Sequence, residues 1–509
     1  MSDFLAGAGV LAAAAASAAS ILLPAGRPRS VLMVLALVLF PVLILGDQWH
    51  THQIVDLRND TARIAFLLAV GALVVAALAY SFRRWPTLLP LGIIAALPFR
   101  IPLHAGGDTA NLLVPLYLVI AGGVVAVLVR DWSASNGDER QRRYRTDGPA
   151  GNRAIWLPRA LAVFVVLYAL QSLYSEDFSK ALQNVSFFLV PFTVAYALIQ
   201  DVEWDNRILK RILILVSVEA VAFVLIGTVE DASQSLFWND AVIRSNDFHT
   251  YFRVNSVFWD PNIYGRYLAL VIVVVTTALM WARDRRDFWL LAGTILVLWI
   301  GLAQTFSQSS FIALLAGLAV LSAIRWSGRW TLAAVVVGLV GAVLVVTLVG
   351  GKSLTASNLL DRLNVDTSGR ANLVKGGAEL FADRPLWGYG SGSFQQAYAN
   401  HRTNKDLPVS VSHTEPVTVA AEQGLIGLAA YLGLIFVALW VMTAGLKGRR
   451  AGRAAVLAAF VALLVHTLAY AGFFEDPITW VLLAIGTALA STPFVAAEAA
   501  EPAAVREPA

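Results

Sequence analysis

Apolar residues in this chain come in long unbroken runs, most of them close to the length of about 20 residues that a helix needs to cross a hydrocarbon core. The runs fall at roughly 4–24, 30–46, 61–80, 86–103, 109–129, 157–174, 181–199, 208–228, 262–282, 288–304, 309–324, 331–350, 424–444, 454–472 and 478–495. They predict an all-α fold, a polytopic transmembrane helical bundle of about 13–15 spans. Two long polar loops, at about 229–261 and 351–423, fall on the same side of it. The first run is mostly Ala, follows Asp3 and precedes Arg27 and Arg29. A secretory leader carries its positive charge in front, so this run reads either as a spanning helix or as one lying at the interface.

The pattern divides the chain into N-terminal transmembrane helices (1–130), a polar flexible linker (131–156) and central transmembrane helices (157–350) that carry the outer loop 229–261. A second outer loop (351–423), C-terminal transmembrane helices (424–495) and an Ala/Glu/Pro-rich tail (496–509) that reads as disordered complete it. No internal repeat of fixed period stands out.

Composition agrees. The chain is 58% hydrophobic and only 14% charged, with a mean hydropathy of +0.67, against about a quarter charged in an ordinary soluble domain. Lipid is therefore its solvent and the bilayer its first partner. A net charge of +4 and a pI near 9.3 would suit nucleic acid in a soluble protein. Here 24 of the 38 Lys and Arg fall in alternate connecting segments, from Arg27/Arg29 through Arg83/Arg84 and Arg283/Arg285/Arg286 to Lys447/Arg449/Arg450/Arg453 and the tail. That alternation is the positive-inside signature. It excludes a nucleic-acid partner as the reason for the charge, and it places both long loops outside a bacterial cytoplasmic (inner) membrane. Cysteine is absent, which excludes disulfides, thiolate catalysis and Cys-based metal sites.

Candidate chemistry gathers in the outer loops. His50, His52, His104, His249, His401 and His413 all fall outside by this topology, and only His466 lies within a span. The first long loop ends Arg253-Val-Asn-Ser-Val-Phe-Trp-Asp260-Pro-Asn262-Ile-Tyr-Gly265. Arginine beside aromatic residues at a membrane surface suits a phosphate-bearing lipid, because guanidinium binds phosphate oxygens bidentately. An interfacial anchor followed by an Asp-Pro-Asn helix cap explains the same residues. The second loop holds Ser368-Gly369-Arg370 and then Asp383-Arg384-Pro385-Leu-Trp-Gly388-Tyr-Gly390-Ser-Gly392-Ser-Phe394. Its glycines allow either a phosphate cradle or a tight turn, and without a βαβ unit they do not bind a dinucleotide. His413-Thr414-Glu415-Pro416 and Glu422-Gln-Gly424-Leu-Ile-Gly427 close the loop. A histidine there can act as a general base near neutral pH or serve structure alone. There is no HExxH, no GxSxG and no paired-carboxylate motif, so nothing visible calls for a metal or a cofactor. Glu219, Gln171, Gln183, Asn184, Gln304 and His466 are polar within spans, which marks them either as functional or as reaching water near a span end.

Taken together, these residues resemble the O-antigen ligase/polymerase superfamily over roughly 180–480, most closely over 369–427. The resemblance implies an undecaprenyl-diphosphate-dependent, inverting membrane glycosyltransferase that needs no metal. It implies a lipid-dependent glycosyltransferase fold with a periplasmic catalytic loop, acting in cell-surface polysaccharide biosynthesis. It assigns His413 as the catalytic base and Arg370 and Arg253 as holding the diphosphate of a lipid-linked glycan donor. Glu422, Gly424, Gly427, Asp260, Asn262, Gly388 and Gly390 stand as supporting residues, and the acceptor is a glycan, a lipid or a protein. Two positions depart from the pattern: Thr414 follows the histidine, and Ser307-Gln308-Ser309-Ser310 stands where a Ser-Arg pair is usual. Ligase and polymerase share these motifs. A multi-pass solute transporter of the same broad superfamily is the other reading, and it expects broken helices meeting at the bilayer midplane.

Overall fold

A computed structural model describes residues 3–49, 51, 55, 59–105, 108–133, 149–237, 239–246, 251–333, 335–336, 370–402, 410, 412–444, 446 and 451–491. Most of the run at 331–350, most of the linker, the tail, Gly369, His50, His52 and His249 lie outside the described residues. Among those described, the chain is a polytopic helical membrane protein. Eleven helices are long and apolar enough to cross a membrane, and Ala451–Thr467 and Pro477–Ser491 are shorter apolar helices.

In chain order the helices are α1 (Asp3–Leu22), α2 (Arg27–Asp47), α3 (Thr61–Arg84), α4 (Leu88–Ala96), α5 (Val114–Ser133), α6 (Pro149–Ala154), α7 (Trp156–Ser172), α8 (Phe178–Asn184) and α9 (Val190–Gln200). They continue as α10 (Asn206–Ser233), α11 (Asp240–Asn246), α12 (Pro261–Trp281), α13 (Arg285–Gln304) and α14 (Gln308–Arg325). The last five are α15 (Arg370–Asp383), α16 (Phe394–His401), α17 (Glu415–Met442), α18 (Ala451–Thr467) and α19 (Pro477–Ser491). Aspartates start several of them: Asp60, Asp177, Asp205 and Asp260 each accept a first-turn backbone N–H, satisfying a donor that no intrahelical carbonyl reaches.

Burial sorts centre from rim. The unit Phe178–Gln200 is 83% buried across its apolar window, whereas α3 is 6% buried and presents Phe66, Leu68 and Leu73 outward. An apolar side chain needs no protein cover when lipid surrounds it. A π-helical turn, Val185–Leu189, joins α8 to α9. Pro191 explains it: the ring lacks an N–H and crowds the carbonyl four residues back. That carbonyl, Phe187 O, accepts from the Tyr117 hydroxyl at 2.8 Å instead.

The run at 86–103 is not one span. It is the nine-residue α4 followed by a hairpin, β1 (Ile101–Ala105) antiparallel to β2 (Asp108–Leu112), with Ile101 opposite Leu112 and Ala105 opposite Asp108. Pro98 and Pro102 interrupt helix propagation there, so the apolar run outlasts the helix.

The helix ends collect at two opposite faces. At one, Arg29 pairs with Asp201 at 2.7 Å, Arg27 donates to Asp131 O at 3.4 Å and Arg211 to Thr87 at 3.2 Å. Arg153 sits 5.0 Å over Trp440 and Arg325 5.7 Å over Trp281. The connections rich in Arg thus share one end of the bundle. The other end carries α15, α16 and the segments around them.

Candidate functional site

Glycines with positive φ build the frame of that second end. Within α17 the backbone leaves the helix at Gly424 (φ 62, ψ −163), a region that L side chains avoid. The break frees carbonyls and amides, and the Gly-rich loop takes them. Tyr389 N–H and Gly390 N–H donate to Ala421 O (3.2 Å) and Glu422 O (2.7 Å), and Leu425 N–H donates to Pro385 O (2.7 Å). The buried Glu422 carboxylate accepts from Gly392 N–H (2.8 Å) and Phe394 N–H (3.1 Å). Gln171 donates to Gln423 O at 3.0 Å. A Cβ on Gly388 would overlap the Glu422 carbonyl, one on Gly424 the Leu386 carbonyl, and one on Gly427 the Gln423 side chain. Gly390 rests on the backbone of Ser175, whose hydroxyl donates to Ser391 O at 2.8 Å. Glu422, Gly388, Gly390, Gly424 and Gly427 therefore come together as a clasp between a broken helix and a loop. In the described residues this glycine run is a tight turn.

A second neighbourhood forms around the turn after α18. Arg370, at the start of α15, donates to Ala469 O at 3.1 Å. Thr414 donates to Leu468 O at 3.0 Å, and the Glu415 carboxylate accepts from Gly472 N–H (2.7 Å) and Phe473 N–H (3.1 Å). The His413 ring lies 6.1 Å from Tyr470. Half-buried Arg253 donates from Nε to Thr305 O (3.0 Å) and from Nη2 to Asn262 Oδ1 (3.2 Å). Asp260 caps α12 beside them. Arg253 feels the charges of Asp260, Arg370 and Tyr470, and His413 those of Arg370 and Asp260. Burial lowers the Arg253 guanidinium, opposed by Asp260 and reinforced by Arg370. Burial, then the Arg370 charge, holds the His413 imidazole below its usual range, with Asp260 opposing. Desolvation raises the Tyr470 phenol. His413 itself stands at φ 58, its Nε2 3.2 Å from the Ser410 hydroxyl.

This geometry can do definite chemistry. Two guanidiniums, each keeping donors beyond those that Thr305, Asn262 and Ala469 accept, suit an anion such as a diphosphate. A neutral imidazole beside them can take a proton.

Beneath lie residues of which sequence reasoning singled out His466 and the 307–310 serines but not Arg266, Asp476 or Tyr470. Buried Arg266 pairs with Asp476 at 2.8 Å and sits 5.8 Å from the Tyr470 ring. His466 Nε2 lies 3.2 Å from Ser309 and 3.3 Å from Ser310. Ser307 donates to the same Asn262 Oδ1 that Arg253 holds. The 307–310 serines thus brace Asn262 and His466 where a Ser-Arg pair would have stood. A second Asp-Pro pair, Asp476-Pro477, repeats Asp260-Pro261 and was the available signal for the missed Arg266–Asp476 bridge. Glu219 accepts from Tyr267 at 3.2 Å, on α10.

Comparison with known families adds one finding. Residues 293–432 match the family model described as O-antigen ligase, a stretch that takes in 307–310, Arg370, the Gly-rich loop, His413 and Gly424–Gly427. No curated protein matches the chain. The resemblance read from the motifs is thereby supported at the level of the O-antigen ligase superfamily.

Proposed function

We propose that this protein is a membrane glycosyltransferase that transfers or polymerises an undecaprenyl-diphosphate-linked glycan on the outer face of the bacterial cytoplasmic membrane. The observation that carries the reading is the convergence of His413, Arg370 and Arg253 around the 468–473 turn, at the end of the bundle away from the Arg-rich connections. His413 takes the proton from an acceptor hydroxyl. The hydroxyl oxygen forms a bond to the anomeric carbon from the face opposite the diphosphate, inverting that centre. The carbon–oxygen bond to the diphosphate breaks, and its electron pair leaves with the phosphate oxygen. Arg370 and Arg253 meet the negative charge that develops there, the role preorganised donors play in transition-state stabilisation.

The position of the helix break speaks against transport. From Leu425 to Met442 α17 is helical, long enough at about 1.5 Å per residue to cover nearly the whole hydrocarbon core. The break therefore falls at the membrane surface and not at the midplane, where transporters place theirs.

The test is a gel of products from purified protein and an undecaprenyl-diphosphate-linked repeat, with and without added acceptors. Turnover that disappears in His413→Ala supports the enzyme. A ladder formed from the donor alone identifies a polymerase, and a single acceptor-dependent band a ligase. A donor left intact by wild-type protein with every acceptor would overturn the reading.

A further inference from the structure

The 413–415 segment and the turn after α18 belong to two neighbourhoods at once. His413 and Tyr470 face the arginines, while Glu415 and Gly472 line a separate cavity of about 80 Å³, bounded also by α7, α8, the Gly-rich loop and α17. That is room for a handful of waters, at about 10–15 Å³ each by this measure.

The walls are chemically unlike the surroundings of Arg253 and Arg370. Glu415, Glu422 and Glu475 contribute carboxylates, Asn184 and Gln423 amides, and Lys180 is the cation. An acidic lining alone shows nothing, but two buried groups here are incomplete. Asn184 is 6% exposed and spends its Nδ2 on the Tyr168 hydroxyl at 2.9 Å, leaving its Oδ1 without a hydrogen-bond partner. Gln423 is 1% exposed, and its Oε1 also has none. A buried acceptor left empty costs on the order of 1–3 kcal/mol, so such groups ask for water or a ligand that donates. The π-helical turn begins at the next residue, Val185, and such turns recur at functional sites. The Tyr168 hydroxyl accepts from Asn184 and keeps its own hydrogen to give.

Carboxylates and amide oxygens repel a diphosphate and accept from hydroxyl groups. Sugar hydroxyls both donate and accept, which is what this mixture of acceptors and one phenol asks for. We propose that this pocket is a sugar subsite that holds the hydroxyls of the acceptor's terminal residue, with the donor diphosphate on the arginines and His413 at the border between them. The proposal rests on the glycosyltransferase reading and gives its two substrates separate places.

The test uses the full-length protein in nanodiscs and, as probe, the tritiated oligosaccharide repeat freed from its lipid diphosphate. Thr418→Phe fills the pocket, and Gln395→Ala trims its exposed rim. Binding of the free repeat should weaken about tenfold or more in Thr418→Phe and about twofold to threefold in Gln395→Ala, the loss of one or more hydrogen bonds. Arg370→Ala should bind the free repeat as wild type does. In transfer assays the acceptor KM should rise in Thr418→Phe while the donor KM holds. Should Thr418→Phe not fold, Gln395→Ala combined with Glu475→Gln decides by the same criteria. Wild-type binding that survives the pocket variants but disappears in Arg370→Ala would overturn the proposal, as would a rise confined to the donor KM. Failure of the enzyme itself looks different, since no variant or wild type would then consume the lipid-linked donor.

Discussion

His413 occupies left-handed backbone space, which a non-glycine residue holds only when its surroundings over-determine it. Here Thr414 and Glu415 do so by tying to the 468–473 turn immediately beyond it. The imidazole itself carries little of the fold, so His413→Ala should insert normally while transfer falls about 10²–10⁴-fold, the usual share of a general base. Arg370→Lys should retain charge but lose the planar fork, lowering turnover about tenfold to a hundredfold. Initial rates on the lipid-linked donor read both. The pH dependence follows from the direction of the His413 shift. Burial and the Arg370 charge favour the neutral imidazole, so the acid limb of activity should lie below about pH 6.5. In Arg370→Gln one of the two lowering causes is gone, and the acid limb of the residual activity should move to higher pH. A limb that stays in place in that variant would detach it from His413. The histidine and both arginines were legible because each sits in a compact local motif. Tyr470, Arg266 and Asp476 were not, because their importance comes from contacts between helices far apart in the chain.

The broken helix is the element that decides the local architecture. Gly424→Ala should cost at least about 2 kcal/mol, combining left-handed strain with overlap on the Leu386 carbonyl. Gly388→Ala, overlapping the Glu422 carbonyl from the other side, should cost a similar amount. Thermal melts in detergent check both, and a variant melting with wild type would remove the clasp as a structural device. The sequence marked a span beginning at 424, and helix does resume there. It placed 415–423 in the loop, whereas those residues are helical. Polar Glu415, Glu422 and Gln423 had read as loop, but both glutamates spend their carboxylates on buried backbone N–H groups, and Gln423 is itself buried. The run at 86–103 misled in the opposite sense, since hydropathy measures apolarity and not the ability to propagate a helix past two prolines.

At the scale of the whole molecule, the two faces of the bundle make a prediction that the composition renders easy to test. Cysteine is absent, so a single introduced thiol is the only one present. Gln396→Cys, exposed beside the clasp, should react with a membrane-impermeant maleimide in intact cells. Thr443→Cys, exposed at the end shared by the basic connections, should react only after the membrane is opened. The reverse pattern would invert the orientation and move Arg253, Arg370 and His413 to the cytoplasmic side. Span lengths and the alternation of charge were legible because lipid imposes both on the sequence directly. Which helices sit at the centre was not, since a side chain facing lipid and one facing protein are equally apolar.

The clasp also bears on how such a protein can change. Glu422 reaches back to Gly392 and Phe394, so the start of α16 and the break in α17 are tied together at one waist. Closing a loop at its base makes further length cheap, because the entropic cost grows only slowly with the number of residues. Residues inserted after Arg402 should therefore cost the spans below little, whereas α16 itself must stay, because its Phe394, Ala397 and Tyr398 pack with Leu373, Leu380 and Ala421. A chain that grows there keeps the same melting temperature, provided the two feet keep their glycines and their glutamate.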